Sequence, residues 1–382
     1  MRVVRRTGAP WIVVCLLGLA MGCAGPNLIR RTAEPEGPGD TWIVARDPAV
    51  ARAVTASTAP ALVARLDAAS TTSTVLPAEK THVAVTALGP IASIDRTKSY
   101  TVPAGALDLA VSFTPAATPP RQDYVVHVGG RPLTILVRER HEAQELARTQ
   151  SNAHLVPTDA AGVVTLPVGA VSARALDMRV ETSGLVPWRD GAYELIVPRV
   201  PDGDVTLAAE LYGPGPIVVV SSPSHTIQAK PVSLDHLRVG LRDPQTLHDA
   251  DFVLRYRVDP DDRPGALVVV RDGTSNIVAI VMHPVEDGHE AVAASDVSID
   301  WNGATVTEVR PDPIGKLPAG TPLVVLARTQ GDVLGPVTVR ARCGREVRAI
   351  TIARDDAIPA PELRALPLLW ARAGRATVSA HR

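Results

Sequence analysis

From residue 80 onward, apolar and polar residues alternate with a period of two. The pattern runs through His82–Leu88 (HVAVTAL), Ile91–Val102 (IASIDRTKSYTV) and Ala106–Thr114 (ALDLAVSFT), with turn-forming residues between them. A strand places successive side chains on opposite faces, so each stretch reads as a strand with one face in a core. Val125–Val128 ends in Gly129–Gly130, a pair that permits the positive φ of a tight turn, and Leu133–Val137 reads as the returning strand of a hairpin. The period then changes. From Arg138 to Gln150 there is no Gly or Pro, Ala143, Leu146 and Ala147 fall three and four apart, and Arg138/Glu142 and Glu145/Arg148 can pair across helical turns. An exposed helix with one thin apolar stripe is expected there.

Strand patterns resume after the turn-rich segment VPRVPDGDV, residues 197 to 205. They are VTLAAELYG, PIVVVSSPS, HTIQAKPV, LRVGLRD and DFVLRYRVD, then ALVVV-RDGTSN-IVAIV as a hairpin with Asp272–Gly273 in its turn. After residue 292 come VSIDWNG, TVTEVRP, PLVVLART, PVTVRAR and VRAITIA. Helices are expected at about 48–56, where Asp47–Pro48 is a good start, at 60–69, and at Glu362–Ala373, the last packing Leu363, Leu366, Leu369 and Trp370. The expected fold class is mainly β: a β-sandwich over 80–200 with one short helix, then a second β-sandwich over 204–355 made of halves 204–283 and 292–355. A short helical segment at 42–79 and a C-terminal helix and tail at 356–382 flank them.

Composition agrees with this outline. With 34 Pro and 28 Gly in 382 residues, many turns and strands are expected in place of a helical bundle. The net charge of −1 provides no general field for nucleic acid, and the basic residues are dispersed among acids. The N-terminus has its own character. Arg2, Arg5 and Arg6 precede an apolar run from Ala9 to Gly22, which reads as an export signal over 1–22. It ends in LAMGC, similar to a bacterial lipobox with Cys23 as the lipidated residue, and Ala24 in place of Asp points to the outer membrane. Conventional cleavage, leaving a soluble periplasmic protein, is the alternative. Residues 23–41 read as a tether.

The segment 124–199 resembles a VIT domain, the N-terminal module of inter-alpha-trypsin inhibitor heavy chains and related bacterial proteins. The features that carry the resemblance are Gly129–Gly130, the run Glu139, Arg140, Glu142 and Ala143 at a helix start, and the stretch from Tyr193 to Pro198. The run Ser222, Pro223, Ser224 and His225, with Asp251–Tyr256, resembles the stretch that joins a VIT domain to a von Willebrand A domain. The late strands and Leu368–Arg372 resemble the segment on the C-terminal side of that second domain. Only HPVEDGHEAVAAS, about 283–295, lies between, which is enough for a loop. Asp272-Gly-Thr-Ser-Asn lacks the two serines at the spacing of the cation site that such a domain needs, and Asp296-Val-Ser-Ile-Asp has one, with Asp300 in place of the second. The resemblance therefore implies two flanking segments closed on each other, with the cation-binding domain missing.

Candidate chemistry is sparse. Ser224 and His225 are adjacent, a spacing from which a nucleophile–base pair is not expected, and no G-x-S-x-G is present. His283, Glu286, Asp287 and His289 are weak candidates for metal ligands, against which a solvated polar loop is the commoner outcome. Asp259, Asp261 and Asp262 read first as a turn. Cys343 reads as an inert buried thiol. No catalytic residue, resident metal or cofactor is expected. The functional expectation is a non-catalytic cell-envelope lipoprotein that binds or scaffolds. Its partners would be the lipid membrane, through acylated Cys23, and an envelope or extracellular protein, not nucleic acid. The alternatives are a periplasmic metal-dependent hydrolase and an accessory partner of a protein carrying the von Willebrand A domain.

Overall fold

The computed structural model describes residues 41–46, 74–105, 109–113, 115, 122–129, 131–139, 153–157, 164–169, 173–259, 264–284, 286–287, 290–331, 336–352, 366–367 and 369–370. The fold is mainly β. The chain forms β1 (Thr41–Arg46), β2 (Thr74–Val75), β3 (Lys80–Leu88), β4 (Ile91–Thr101) and β5 (Leu109–Phe113). Next come β6 (Gln122–Val128), β7 (Arg131–Glu139), β8 (Ala153–Pro157), β9 (Val164–Gly169), β10 (Ala175–Leu185), β11 (Trp188–Arg189) and β12 (Ala192–Val197). They are followed by β13 (Asp204–Tyr212), β14 (Ile217–Ser221), β15 (Ile227–Pro231), β16 (His236–Leu241), a 3-10 turn at Pro244–His248, and β17 (Phe252–Val258). The last group is β18 (Gly265–Asp272), β19 (Ser275–Met282), β20 (Glu286–Asp287), β21 (Glu290–Ala291), β22 (Ala294–Asp300), β23 (Thr305–Arg310), β24 (Leu323–Gln330), β25 (Val337–Cys343) and β26 (Glu346–Ile352).

The alternation read from the sequence sets the faces. In β12 the side chains of Tyr193, Leu195 and Val197 are buried and those between are not, and β13 repeats this with Val205, Leu207, Ala209 and Leu211. The expected hairpin forms with Val128 opposite Arg131, and Gly129 takes φ +54° at its turn. The second hairpin pairs Asp272 with Ser275 around Gly273 at φ +65°.

Two sandwiches result. A ten-stranded sheet runs β15-β16-β13-β3-β4-β10-β6-β7-β1-β8. One face of it is covered by two smaller sheets: β2-β5-β9 over a core of Tyr100, Phe113, Tyr124 and Met178, and β11-β12-β17-β14 over a core of Val85, Tyr193, Leu211 and Phe252. The second sandwich packs β18-β19-β24-β23 on β22-β25-β26, with Leu267, Ile280, Val325, Val339 and Ile352 between them. The other face of β18-β19-β24-β23 is apolar too. Val268, Ile277 and Val281 pack there against Leu88 and Ile91 from the β3–β4 turn and against Leu366, Leu369 and Trp370. Those last three contacts agree with the expected packing of the C-terminal segment.

Several expectations are corrected. The segment expected as short helices at 42–79 contains two strands: TWIVAR forms β1 between β7 and β8, as suits a Trp and β-branched residues, and Thr74–Val75 forms β2. Arg138 and Glu139 close β7 and are not in a helix; the rest of the helix expected to Gln150, with Arg140, Glu142 and Ala143, lies outside the described residues. So do residues 1–40 with Cys23, and the helices expected at 48–56 and 60–69.

The boundary expected at 197–205 does not separate sheets. β12 pairs with β17, and β13 lies parallel to β3, in register from Asp204 opposite Lys80 to Tyr212 opposite Leu88. The Pro- and Gly-rich segment is turn-rich because the chain crosses there from one sheet to the one facing it. The two late halves do close on each other, through β19 against β24, but only residues from 265 onward of the first half take part. Strands β13 to β17 complete the first sandwich.

Candidate functional site

Period two puts Ile94, Arg96, Lys98 and Tyr100 of β4 on one face, and that face is buried. Two cations therefore sit between the two cores of the first sandwich. Lys98 Nζ donates to Asp202 Oδ1 at 2.8 Å and to the Ser112 carbonyl at 3.3 Å, while Asp202 Oδ2 accepts from the Ala78 amide at 3.1 Å. Burial lowers the Lys98 pKa, with the Asp202 hydrogen bond and charge opposing it. Burial likewise lowers that of Arg96. Asp202 belongs to the crossing segment, so this ion pair fastens the crossing to the sheet.

His283 follows β19 and is buried, with Nδ1 2.7 Å from the Tyr193 hydroxyl. Tyr193 packs on Tyr256, whose hydroxyl donates to the Gly89 carbonyl at 2.5 Å. These residues join the two sandwiches. Burial pushes the His283 pKa down to about 4, so the ring is neutral at pH 7. The imidazole expected as a possible ligand in a polar loop is thus a core group. The expectation failed because the apolar run IVAIVM carries the chain into the joint and His283 sits at its end. Glu286 and Asp287 form β20 beside β21, and His289 lies outside the described residues. Among the described residues, no three His, Cys, Asp or Glu side chains come together to hold a metal.

At Ser222–His225 the structure shows a turn in which the two adjacent side chains do meet. The Ser224 Oγ and His225 Nδ1 lie 2.8 Å apart, adjacent in sequence though they are. The His225 amide donates to Ser222 Oγ at 3.1 Å, and this turn brings the ring back onto the neighbouring hydroxyl. His225 Nε2 lies 3.2 Å from the Thr246 carbonyl; the bond requires a proton on Nε2, which leaves Nδ1 to accept from Ser224. Ser224 Oγ also accepts the Val253 amide of β17 at 2.8 Å. The hydroxyl is therefore committed on both sides, and the group acts as a staple between a loop and a strand.

A concavity lies in the second sandwich. A cleft of about 570 Å³ is lined by Asp296, Val297, Ile299 and Trp301 of β22 and its end, by Val309, and by Asp312–Lys316. Trp301, Ile299 and Ile314 are half-buried, while Asp296, Asp312 and Lys316 are exposed at the rim. Strand β22 slips register between Ser295 and Ser298, and Asp296 takes φ +50° at that bulge. Arg342 Nε donates to its carboxylate at 2.8 Å. A left-handed, non-glycine residue at a bulge is held by its surroundings and aims its strand's side chains differently from a regular ladder. None of these residues was singled out from the sequence as a site. The available signal was Trp301 at the strand-to-turn step of VSIDWNG.

Of the other positions that carry the VIT resemblance, those described lie in turns and strands. Gly129 makes its turn, Tyr193 is in the joint, β12 ends at Val197 just before Pro198, and Pro223 lies in the staple turn. Cys343 is buried, as expected. No protein-family model matches the chain, and no curated protein matches it.

Proposed function

We propose that the protein is a non-catalytic binding and display module of the bacterial cell envelope. In this reading residues 1–22 export it, acylated Cys23 anchors it, VIT-like sandwich strands form its body, and recognition occurs at the Trp301 cleft. The observation that carries the reading is the cleft's lining. A half-buried indole and aliphatic floor beneath a rim of Asp296, Asp312 and Lys316 offers stacking, apolar contact and a few orienting charges, which is what holding a ligand needs.

A hydrolase is the second reading, and the Ser224–His225 contact favours it. One experiment separates the two. Purified protein is screened by thermal shift against glycans and envelope peptides, with Trp301→Ala in parallel, and is also treated with a fluorophosphonate. Stabilisation by a ligand, lost in Trp301→Ala beyond the drop in unliganded melting temperature that truncating this half-buried side chain causes, is the expected result. Covalent labelling of Ser224 with turnover of an ester would overturn it.

A further inference from the structure

Among the described residues the large exposed apolar side chains are few, and four of them share one place. Val218 and Val219 of β14 are about half exposed, as is Val232, and Leu234 is 81% exposed. The Ile217 amide donates to the Leu234 carbonyl at 2.9 Å, and the Gly213 amide to that of Asp235 at 2.8 Å. The turn at 232–235 therefore lies beside the start of β14, which brings the segment carrying Val232 and Leu234 next to the one carrying Val218 and Val219. Strand β14 also ends its sheet, which runs β11-β12-β17-β14.

A terminal strand presents unpaired amides and carbonyls and is normally blunted by charge or proline. Other terminal strands here follow that rule: β15 carries Lys230 and ends in Pro231, β26 carries Glu346 and Arg348, β22 carries Asp296 and Asp300, and β11 carries Arg189. From Gly213 to Ser224, by contrast, there is no charged residue. On β14 a register shift at Val218 and the Leu234 carbonyl bonded to the Ile217 amide occupy the start of the edge, which leaves Val219–Ser221 in regular pairing with β17.

We infer that this edge is a self-association surface, occupied by the β14 edge and the 232–235 turn of a second copy in a two-fold, antiparallel arrangement. Charge selects that occupant. A two-fold axis sets each patch against its own copy, and an uncharged strand meets itself without like-charge repulsion. The rim supplies opposite signs, because Lys230 and Asp235 flank Val232–Leu234 and each can face the other's counterpart. Magnitude sets the strength. A stable interface buries about 800 Å² per partner, and a surface of four side chains and a short strand edge belongs with the small, transient contacts, so the dimer is weak.

Sedimentation velocity over a hundredfold range of protein concentration, reaching the highest the protein tolerates, tests it. The weight-average mass should rise from one copy towards two and stop there. Val219→Lys and Leu234→Lys should each raise the dissociation constant tenfold or more, whereas Val347→Lys, at an exposed valine of β26, should leave it unchanged. Leu234 is a turn residue, so its variant answers the question even if Val219→Lys misfolds. A monomer throughout the range overturns the proposal and points to an extended segment of another protein as the occupant. Open-ended growth beyond two copies, or an equal shift with Val347→Lys, also overturns it.

Discussion

Replacing either member of the Lys98–Asp202 pair should have very unequal effects. The Lys98 side chain is 5% exposed and Asp202 30%. Asp202→Ala leaves an ammonium buried without its counter-charge and takes the acceptor from the Ala78 amide. Breaking a buried pair in this way costs about 3–5 kcal/mol. Here water reaches the Asp202 side, so about 2–4 kcal/mol is expected, a drop of roughly 5–15 °C in melting temperature for a unit of this size. Lys98→Met does the reverse. It removes the group that suffers desolvation, puts a flexible apolar side chain of similar length among Tyr100 and its neighbours, and leaves a carboxylate that solvent can hydrate. A change within about 1 kcal/mol, of either sign, is expected.

Urea unfolding of the two variants against the parent is the assay, and pH adds a second readout. Burial lowers the Lys98 pKa in the fold, so between that value and 10.5 the unfolded chain holds the proton that the folded chain has released. Through that window the unfolded state binds more protons, and the Lys98 contribution rises with pH. Any advantage of Lys98→Met should therefore shrink as pH climbs towards 10.5. If Lys98→Met costs as much as Asp202→Ala, or Asp202→Ala costs under about 1 kcal/mol, the pair is not a desolvated cation held by a half-wet anion and the reasoning fails.

Acid sensitivity should trace in part to His283. Its pKa is about 4 in the fold against an ordinary 6.5, so its contribution is full above 6.5 and is lost as pH falls towards 4, by up to about 3 kcal/mol. His283→Gln should flatten that dependence in urea titrations at pH 7 and 4.5; an unchanged slope would remove the histidine from the account. Two left-handed glycines should respond differently to alanine. At Gly203, φ +83°, a Cβ would sit 2.9 Å from the Ala78 carbonyl oxygen, whereas at Gly273, φ +65°, it would meet nothing within 4 Å. Gly273→Ala should cost about 1 kcal/mol of backbone strain, and Gly203→Ala at least twice that; equal losses by thermal melting would count against the close approach.

The part of this fold legible in the sequence is the part that period two can encode. Strands β3, β4, β12, β13 and β17 are visible as alternation, and both tight hairpins are visible in their glycines. Pairing between distant segments is not visible. Nothing in VTLAAELYG says that it lies parallel to HVAVTAL more than a hundred residues earlier, because a strand's face pattern fixes what it buries and leaves its neighbour open. The crossing segment at 198–203 reads as a linker for a related reason. Proline, glycine and aspartate mark a chain that changes direction, and passage between facing sheets needs the same residues as passage between domains. Strand β1 was hidden because Asp47–Pro48 is a strong helix start, and it outweighed the Trp-Ile-Val just before it.

The candidate site was less legible, because the residue types that advertise chemistry here serve packing. Ser224, His225 and His283 stand out in a sequence for what they can do with a proton. In this fold one hydroxyl is held between an imidazole and a strand amide, and one imidazole is held against a tyrosine inside the joint. Whether a polar group is free to act depends on what tertiary structure has already bonded to it. The buried cations show the converse. Arg96 and Lys98 share their face with Ile94 and Tyr100, and that phase was readable. The cleft had no such signal. Its walls come from a bulged strand, one residue of the next strand and a proline-rich loop, and each contributes ordinary residues. The register slip that carries Asp296 through a positive φ lies in this wall, and the small and polar residues around it, Ala293 to Asp296, carry no hydrophobic alternation in which the change of phase could be read.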